Sequence, residues 1–330
     1  MKYIYASFIA IFMLMNLSVN AQKQERNHLF RVYEDNDFFN LIGNNTDRAY
    51  TNGTRFDFFQ KAKTKQRSFL YKLWPKAGPS STNFTGWSIA QLMVTPNDIS
   101  VASYQSNDYR YSGALFVARS FYSYDPVRKF SFQTEALAGV RGPQAMAKQT
   151  QTVVHKMINS GVPQGWNNQL GTQALLNLTF TAERNLLAWK HIVELNAGVQ
   201  GRVGSAMDAV LVYPVLRIGK MSPYFNGYID QFGSYQDHGK PNKMQYYLIL
   251  KPTSSFVAYN ALLEGTRKDR FGDKVQANEI PLAHKVLDVQ GGIVIAYGNL
   301  SASYLLTRST AYEKGLYEHR FGTLELYYKW

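Results

Sequence analysis

The sequence contains no cysteine. That excludes a disulfide framework, thiol catalysis and thiolate metal sites. A small secreted domain held together by disulfide staples is excluded with them. Long apolar runs are also missing, except at the N-terminus. No later stretch approaches the ~20 residues that a spanning helix needs, so no transmembrane helix is expected. Acidic residues are scarce: 23 Asp and Glu stand against 36 Lys and Arg, a formal excess of 13 positive charges. Such a balance suits an anionic partner. EF-hand, Walker and zinc patterns are absent, and His238, His284 and His319 have no ligand-like partners at useful spacing.

What is present begins at the N-terminus. Lys2 precedes an apolar run from Ile4 to Leu17, and Ser18-Val19-Asn20-Ala21 follows before the polar QKQER. A charged start, an apolar middle and a small-residue site read as a secretory signal peptide, with cleavage expected after Ala21. The domain proper is then 22–330, with no linker or internal repeat. Export argues against nucleic acid as the anionic partner and for an anionic lipid surface. The sequons at 44–46 and 177–179 read as chance in a chain of bacterial character.

Aromatic residues make up 15% of the chain, with 23 tyrosines, while charged residues are only 18%. Tyrosine and tryptophan concentrate where one end of the ring is apolar and the other wet. With no spanning helix, that points to a membrane crossed by strands. The closing TLELYYKW fits. Leu324, Leu326, Tyr328 and Trp330 share one face, and Glu325, Tyr327 and Lys329 the other. An apolar face toward lipid and a polar face toward the lumen is the period of a transmembrane barrel. Residues 130–140 and 191–203 repeat it. Thirteen such segments can be counted, the others near 28–35, 50–60, 85–94, 110–122, 172–182, 208–219, 223–232, 245–262, 286–297, 299–308 and 321–330. Single-chain barrels use even numbers, so the expected fold is an all-β, antiparallel transmembrane barrel of about twelve strands, one candidate being mis-split.

If the first strand runs outward, 36–49, 95–109 and 141–171 are external loops, and the turn near 123–128 is periplasmic. The long segment 61–84 breaks the rule of short periplasmic turns. Loop 141–171 predicts a short helix in which Gln151, Val154, His155 and Ile158 share a face, stopped by Gly161 and Pro163. Asn36-Asp37 end strand one, Thr51 and Asn52 open strand two, and His155 lies on the loop helix. The topology puts all three groups on the external side. A histidine there can act as general base. A carboxylate with a carbonyl-rich loop can hold a hard cation such as Ca2+. Together they could direct water at an ester. A serine nucleophile, as in a serine-type outer-membrane phospholipase, is the rival scheme, without a GxSxG motif to support it. A non-enzymatic barrel, either a pore or a surface-binding protein, is the other alternative.

Several short motifs occur together: Asn36-Asp37-Phe38-Phe39, then Asp47-Arg48-Ala49-Tyr50-Thr51-Asn52-Gly53, Ala90-Gln91 with Thr95-Pro96, and Gln151, His155, Gly165-Trp166 and Gln169. In this combination the chain resembles the outer-membrane lipid A 3′-O-deacylase family. The matches cover the first half; the second half shares only the barrel character and the closing aromatic strand. The resemblance implies a twelve-stranded barrel in the bacterial outer membrane that uses calcium to hydrolyse the 3′-linked acyloxyacyl chain of lipid A. It implies that His155 activates the water, that Asp37 helps bind calcium, that Asn36 and Thr51 position the site, and that Gln151 orients His155. Lipid A or lipopolysaccharide would be the substrate and the outer-membrane bilayer the surroundings. Two features depart from the family pattern. Asn159-Ser160-Gly161 stands where a metal-associated glutamate is expected after the histidine helix. No lysine occurs between Lys76 and Lys129, so Arg110 and Arg119 are the only cations in the second loop and fourth strand.

Overall fold

The computed structural model describes residues 27–40, 49–62, 74–190, 192–224, 235–237, 240–242, 244–266 and 280–330. The signal-peptide expectation, 41–48 of the first loop, 63–73 of the long segment 61–84, and 225–232 of one strand candidate lie outside the described residues.

Twelve strands close an antiparallel barrel. They are β1 (His28–Asn36), β2 (Ala49–Lys61), β3 (Thr82–Thr95), β4 (Ser112–Asp125), β5 (Phe130–Arg141), β6 (Gln173–Trp189), β7 (Val193–Gly204), β8 (Met207–Lys220), β11 (Met244–Asn260), β12 (Lys285–Tyr297), β13 (Leu300–Ser309) and β14 (His319–Lys329). β9 (Tyr235–Asp237) and β10 (Lys240–Asn242) form a separate two-stranded sheet. β1 pairs with β14 to close the cylinder, which leaves no sheet edge for lipid to meet. β8 pairs directly with β11. β6 runs past its expected end at 182 to Trp189. A bulge between Asn185 and Leu187 breaks the two-residue period there and hides the extension from a pattern count.

Alternation sets the two faces. Phe56, Phe58, Trp87, Ile89, Val117, Leu248 and Ile295 are exposed on the outer wall. Trp330 stacks on His28 and Tyr328 at 5.4 Å each and lies 6.0 Å from Phe58. That outward aromatic group sits at the end of the barrel where β1 begins and β14 ends, His28 N–H donating to the Trp330 carbonyl. In β14, Tyr327 and Lys329 are buried, and Glu325 accepts from the Ser303 and Tyr327 hydroxyls.

The lumen is filled by paired charges. Asp57 takes Arg31 at 2.6 Å and Arg55 at 2.8 Å, and Arg55 crosses the lumen to Glu135 at 2.6 Å. Ser88 and Ser120 complete the carboxylates. Lower down, Arg217 pairs with Glu194 at 2.7 Å and covers the Tyr247 ring. Tyr224 returns from the end of β8 into the lumen, donating its hydroxyl to Glu183. It packs on Leu29, Phe59, Phe84, Tyr122, Tyr124 and Tyr327. Buried charges persist only when paired and hydrogen-bonded, and each of these carboxylates is paired with an arginine or a tyrosine hydroxyl, although Arg217 Nη2 has no hydrogen-bond partner among the described residues. Of the long segment 61–84, the described part lies against β4: the Trp74 ring is 5.1 Å from Phe121, and Ala77 N–H donates to Ser123 Oγ.

Candidate active site

The end of the barrel opposite the start of β1 carries the loop 142–172, the longest between barrel strands among the described residues. β1 stops there at Asn36. Its Oδ1 accepts the Phe38 N–H at 2.8 Å and so caps the short helical turn Asp37–Phe39. Capping by Asn before a turn is local chemistry that the sequence dictates. Asp37 follows and is buried, at 4% exposure. The turn is tied to β13 by the Tyr304 hydroxyl, which donates to the Phe39 carbonyl at 2.6 Å.

Thr51 is the extra residue of a β-bulge. Tyr50 pairs with Val94 and Asn52 with Met93, leaving Thr51 unmatched. The bulge turns Tyr50 inward, where its hydroxyl donates to Asp35 Oδ2 at 3.1 Å. Thr51 and Asn52 remain on the outer side. Thr51 Oγ1 bonds Thr95 Oγ1 at 2.6 Å, and Asn52 Nδ2 donates to the Glu34 carboxylate. Gly53 is required by the same bulge: a β-carbon there would run into the Tyr50 hydroxyl. Tyr-Thr-Asn-Gly is therefore a device for re-aiming side chains across a barrel wall.

The loop helix α1 spans Ala147–Met157. It packs on the outer wall of β3 and β4. Ala147 sits on Gly113, where any β-carbon would collide with it. Trp166, fully buried, joins Met93, Tyr111 and Ala147. Its Nε1–H donates to Gln151 Oε1 at 2.7 Å. Gln91 Nε2 donates to the Ala145 carbonyl at 2.6 Å. Gln91 and Trp166 of the sequence motifs thus hold α1 against the wall.

The buried residues of α1 are Ala147, Gln151 and His155; Val154, expected on the same face, is 43% exposed. The wall meets the i, i+4, i+8 row because glycine at 113 lets Ala147 approach most closely. The helix also ends earlier than Gly161 and Pro163 imply. Asn159 adopts φ 57°. Its N–H bonds the Lys156 carbonyl, and the Ser160 N–H bonds the His155 carbonyl at 2.8 Å. That pair of bonds is a Schellman cap, with Asn in the left-handed position usually held by glycine. The cap folds the chain back so that the Gly161 carbonyl lies 2.7 Å from His155 Nδ1. A ring nitrogen facing a carbonyl oxygen must carry the proton, so in the neutral ring Nε2 is the acceptor nitrogen. The Asn159-Ser160-Gly161 segment, which lacks a carboxylate, orients the histidine through its backbone. Gln151 Oε1 is committed to Trp166.

The five predicted site residues lie at one end of the barrel, in two groups. Asn36, Asp37 and Thr51 belong to the rim of β1 and β2, and Gln151 and His155 to α1. β3 joins them: Thr95 bonds Thr51, and Met93 packs on Ala147 and Trp166. Sequence reasoning missed Glu34. Alternation places it outward with Asn36, above Phe30 and Val32 on the same face, and Asn52 donates to it. The signal was a change of parity, polar residues continuing an apolar lipid-facing row. Arg110, one of the two candidate cations, ties loops together by donating to the Asn168 carbonyl at 3.1 Å. Arg119 lies over Trp87 at 4.9 Å on the outer wall. Tyr109 clasps the opposite loop by accepting the Tyr312 N–H, and burial pushes its hydroxyl up to about 12.

Calcium takes roughly six to eight oxygens, several from carboxylates. Among the described residues no group of three His, Asp or Glu could hold a metal ion. Asp37 offers one buried carboxylate, which does not by itself make a calcium cage.

The chain matches the family described as outer membrane protein LpxR over residues 7–330. Its fold is similar to that of LpxR from Salmonella typhimurium, with a TM-score of 0.69 at 14% identity, covering 91% of this chain and 99% of that one. The β domain of the Bordetella autotransporter BrkA is similar at a TM-score of 0.45 and 9% identity, covering 93% and 99%. No curated protein matches the sequence.

Proposed function

The chain belongs to the LpxR family of outer membrane proteins, and from that premise we propose that it is a lipid A deacylase that removes the 3′-linked acyloxyacyl chain. The observation that carries this reading is the His155 ring, buried on the outer wall of the barrel with Nδ1 on the Gly161 carbonyl. A base for a lipid ester belongs on the lipid-facing side of a barrel rim, not in its lumen. The acyl chains would lie against the apolar outer wall and the sugar phosphates at the rim, an arrangement the positive net charge suits.

In the proposed reaction, His155 Nε2 takes a proton from water as the oxygen attacks the ester carbonyl. The carbonyl–oxygen bond then breaks, and the imidazolium returns the proton to the leaving sugar oxygen. The products are a free carboxylic acid and a sugar hydroxyl. Asn36 fixes the turn that presents Asp37, Thr51 and Thr95 supply hydroxyls at the rim, and Gln151 anchors Trp166 beneath α1. Calcium, with Asp37 as its anionic ligand, is proposed to supply positive charge at the reacting ester. The described residues do not complete its shell, so no step above depends on it. Support against a diffusion pore comes from the lumen, which is crossed by the Arg31–Asp57–Arg55–Glu135 network.

Mass spectrometry of lipid A from outer membranes expressing the wild type or His155→Ala tests the reading. Loss of one acyloxyacyl mass with the wild type alone supports it, and suppression by a calcium chelator supports the metal. Unchanged lipid A in both, with the barrel folded, overturns the deacylase on that substrate.

A further inference from the structure

The lumen holds a cavity of about 570 Å3 that the proposed reaction does not use. Small-molecule sites fall in roughly the 300–1,000 Å3 range. Its wall changes character along the barrel axis. Toward the loop end it is apolar, with Leu211, Val257, Leu263, Leu282 and Val286. Leu263 belongs to the short helix α2 (Ala261–Glu264), which packs into the mouth. Toward mid-barrel it is polar, with Arg55, Glu135, Gln200, Arg202 and Asp288.

The charges of that floor are not equivalent. Arg55 and Glu135 neutralise each other. Arg202 forms no salt bridge among the described residues: its Nε donates to Gln200 Oε1 at 2.8 Å, and its Nη1 meets Met207 Sδ at 3.3 Å. Behind the cavity wall, Lys251 lies over the Tyr213 ring at 4.1 Å and forms no ion pair among the described residues. Asp288 Oδ1 is buried without a hydrogen-bond partner. Outside the Arg31–Asp57–Arg55–Glu135 network, the charges that line the cavity are Arg202 and Asp288, and Arg202 is the one cation of that pair. A half-buried guanidinium that lines a cavity without a salt bridge can take an anion in bidentate fashion.

The geometry points to a lumenal site for a single-chain anionic amphiphile, a fatty-acid-like carboxylate. Its head group would sit on Arg202 and its chain against Val257, Leu263, Leu282 and Val286. Asp288 Oδ1 would take a donor from an accompanying water. The inference does not rest on the deacylase reading, since His155 and α1 pack on the opposite face of the wall.

Native mass spectrometry of the full-length mature protein released from detergent micelles, titrated with dodecanoate and separately with dodecanol, tests it. One dodecanoate per barrel is expected, bound at least roughly tenfold more weakly by Arg202→Gln, the size of effect that loss of one charged hydrogen-bond donor gives. Val257→Phe, which fills the apolar half and keeps the cation, should weaken binding similarly. His155→Ala should leave it unchanged. Dodecanol should bind alike to wild type and Arg202→Gln. Dodecanoate binding that is absent, or equal in wild type, Arg202→Gln and Val257→Phe, overturns the site.

Discussion

The two faces of the barrel wall handle polar residues in opposite ways. Inside, polarity is mostly closed on itself. Asp57 serves two arginines and Ser88, and Glu194 serves Arg217. Such a network explains its own presence, because it fills a lumen that must exclude neither charge nor water. Outside, the rule is apolar, and Phe56, Ile89 and Val117 obey it. At the loop end of β1 to β3 the outer face departs from that rule with Glu34, Asn36, Thr51, Asn52 and Thr95. Polar groups on a lipid-facing parity cost free energy unless something polar covers them. Beside them α1 lies on the outer wall of β3 and β4, against Met93 and Gly113. Polarity on the inner wall is accounted for by structure, and polarity on the outer wall is where the proposed chemistry would lie.

That contrast can be broken by mutation. His155→Ala on the outer side should lower deacylation by about 10²- to 10⁴-fold, the contribution of a general base. Its resistance to denaturant should match the wild type. Asp57→Ala on the inner side should do the reverse. It leaves Arg31 with only Glu325 at 3.8 Å and Arg55 with only Glu135, and removing the shared carboxylate of a buried ion network costs up to about 3–5 kcal/mol. Urea unfolding would show that loss, while turnover per folded molecule stays near the wild-type value. If Asp57→Ala abolished turnover in a folded barrel, the lumen would belong to the active site and the contrast would fail. Gly113→Val lies between the two. Its side chain would drive Ala147 and α1 off the wall, and misplacing a catalytic group by about 1 Å can cost about 100-fold in rate. Activity assays beside unfolding curves would separate a displaced helix from a weakened barrel.

Much of this was legible from the sequence, for identifiable reasons. Period-two patterning revealed β5, β7 and β14, because one face meets lipid and the other a polar lumen. It failed at β6 and at Thr51, where bulges insert a residue and exchange the faces. Turn chemistry located Asn36 and Asp37, but it could not show that Asn36 caps the turn Asp37 begins. The loop helix was visible from its spacing. Its buried row was misjudged at Val154, because the side facing the wall depends on Gly113, which lies far away in sequence. The orientation of His155 was invisible, since a backbone carbonyl six residues on leaves no signature in side-chain identities.

The smallest effect is the sharpest test of that last point. Asn159 occupies the left-handed region at φ 57°, where alanine is disfavoured by about 1–2 kcal/mol and glycine is at ease. Asn159→Ala should loosen the Schellman cap and with it the Gly161 carbonyl that holds His155 Nδ1. Turnover should fall several-fold, with KM and the unfolding midpoint close to wild type, because the cap is local to the loop. Asn159→Gly should restore turnover, since it keeps the backbone conformation and discards only the amide. Equal losses in both variants would show that the amide itself acts at the site, and the backbone would no longer account for how the histidine is aimed. Recovery with glycine alone would place the orienting device in the fold of the chain between Ile158 and Gly161, the segment where the carboxylate expected from the family pattern is absent.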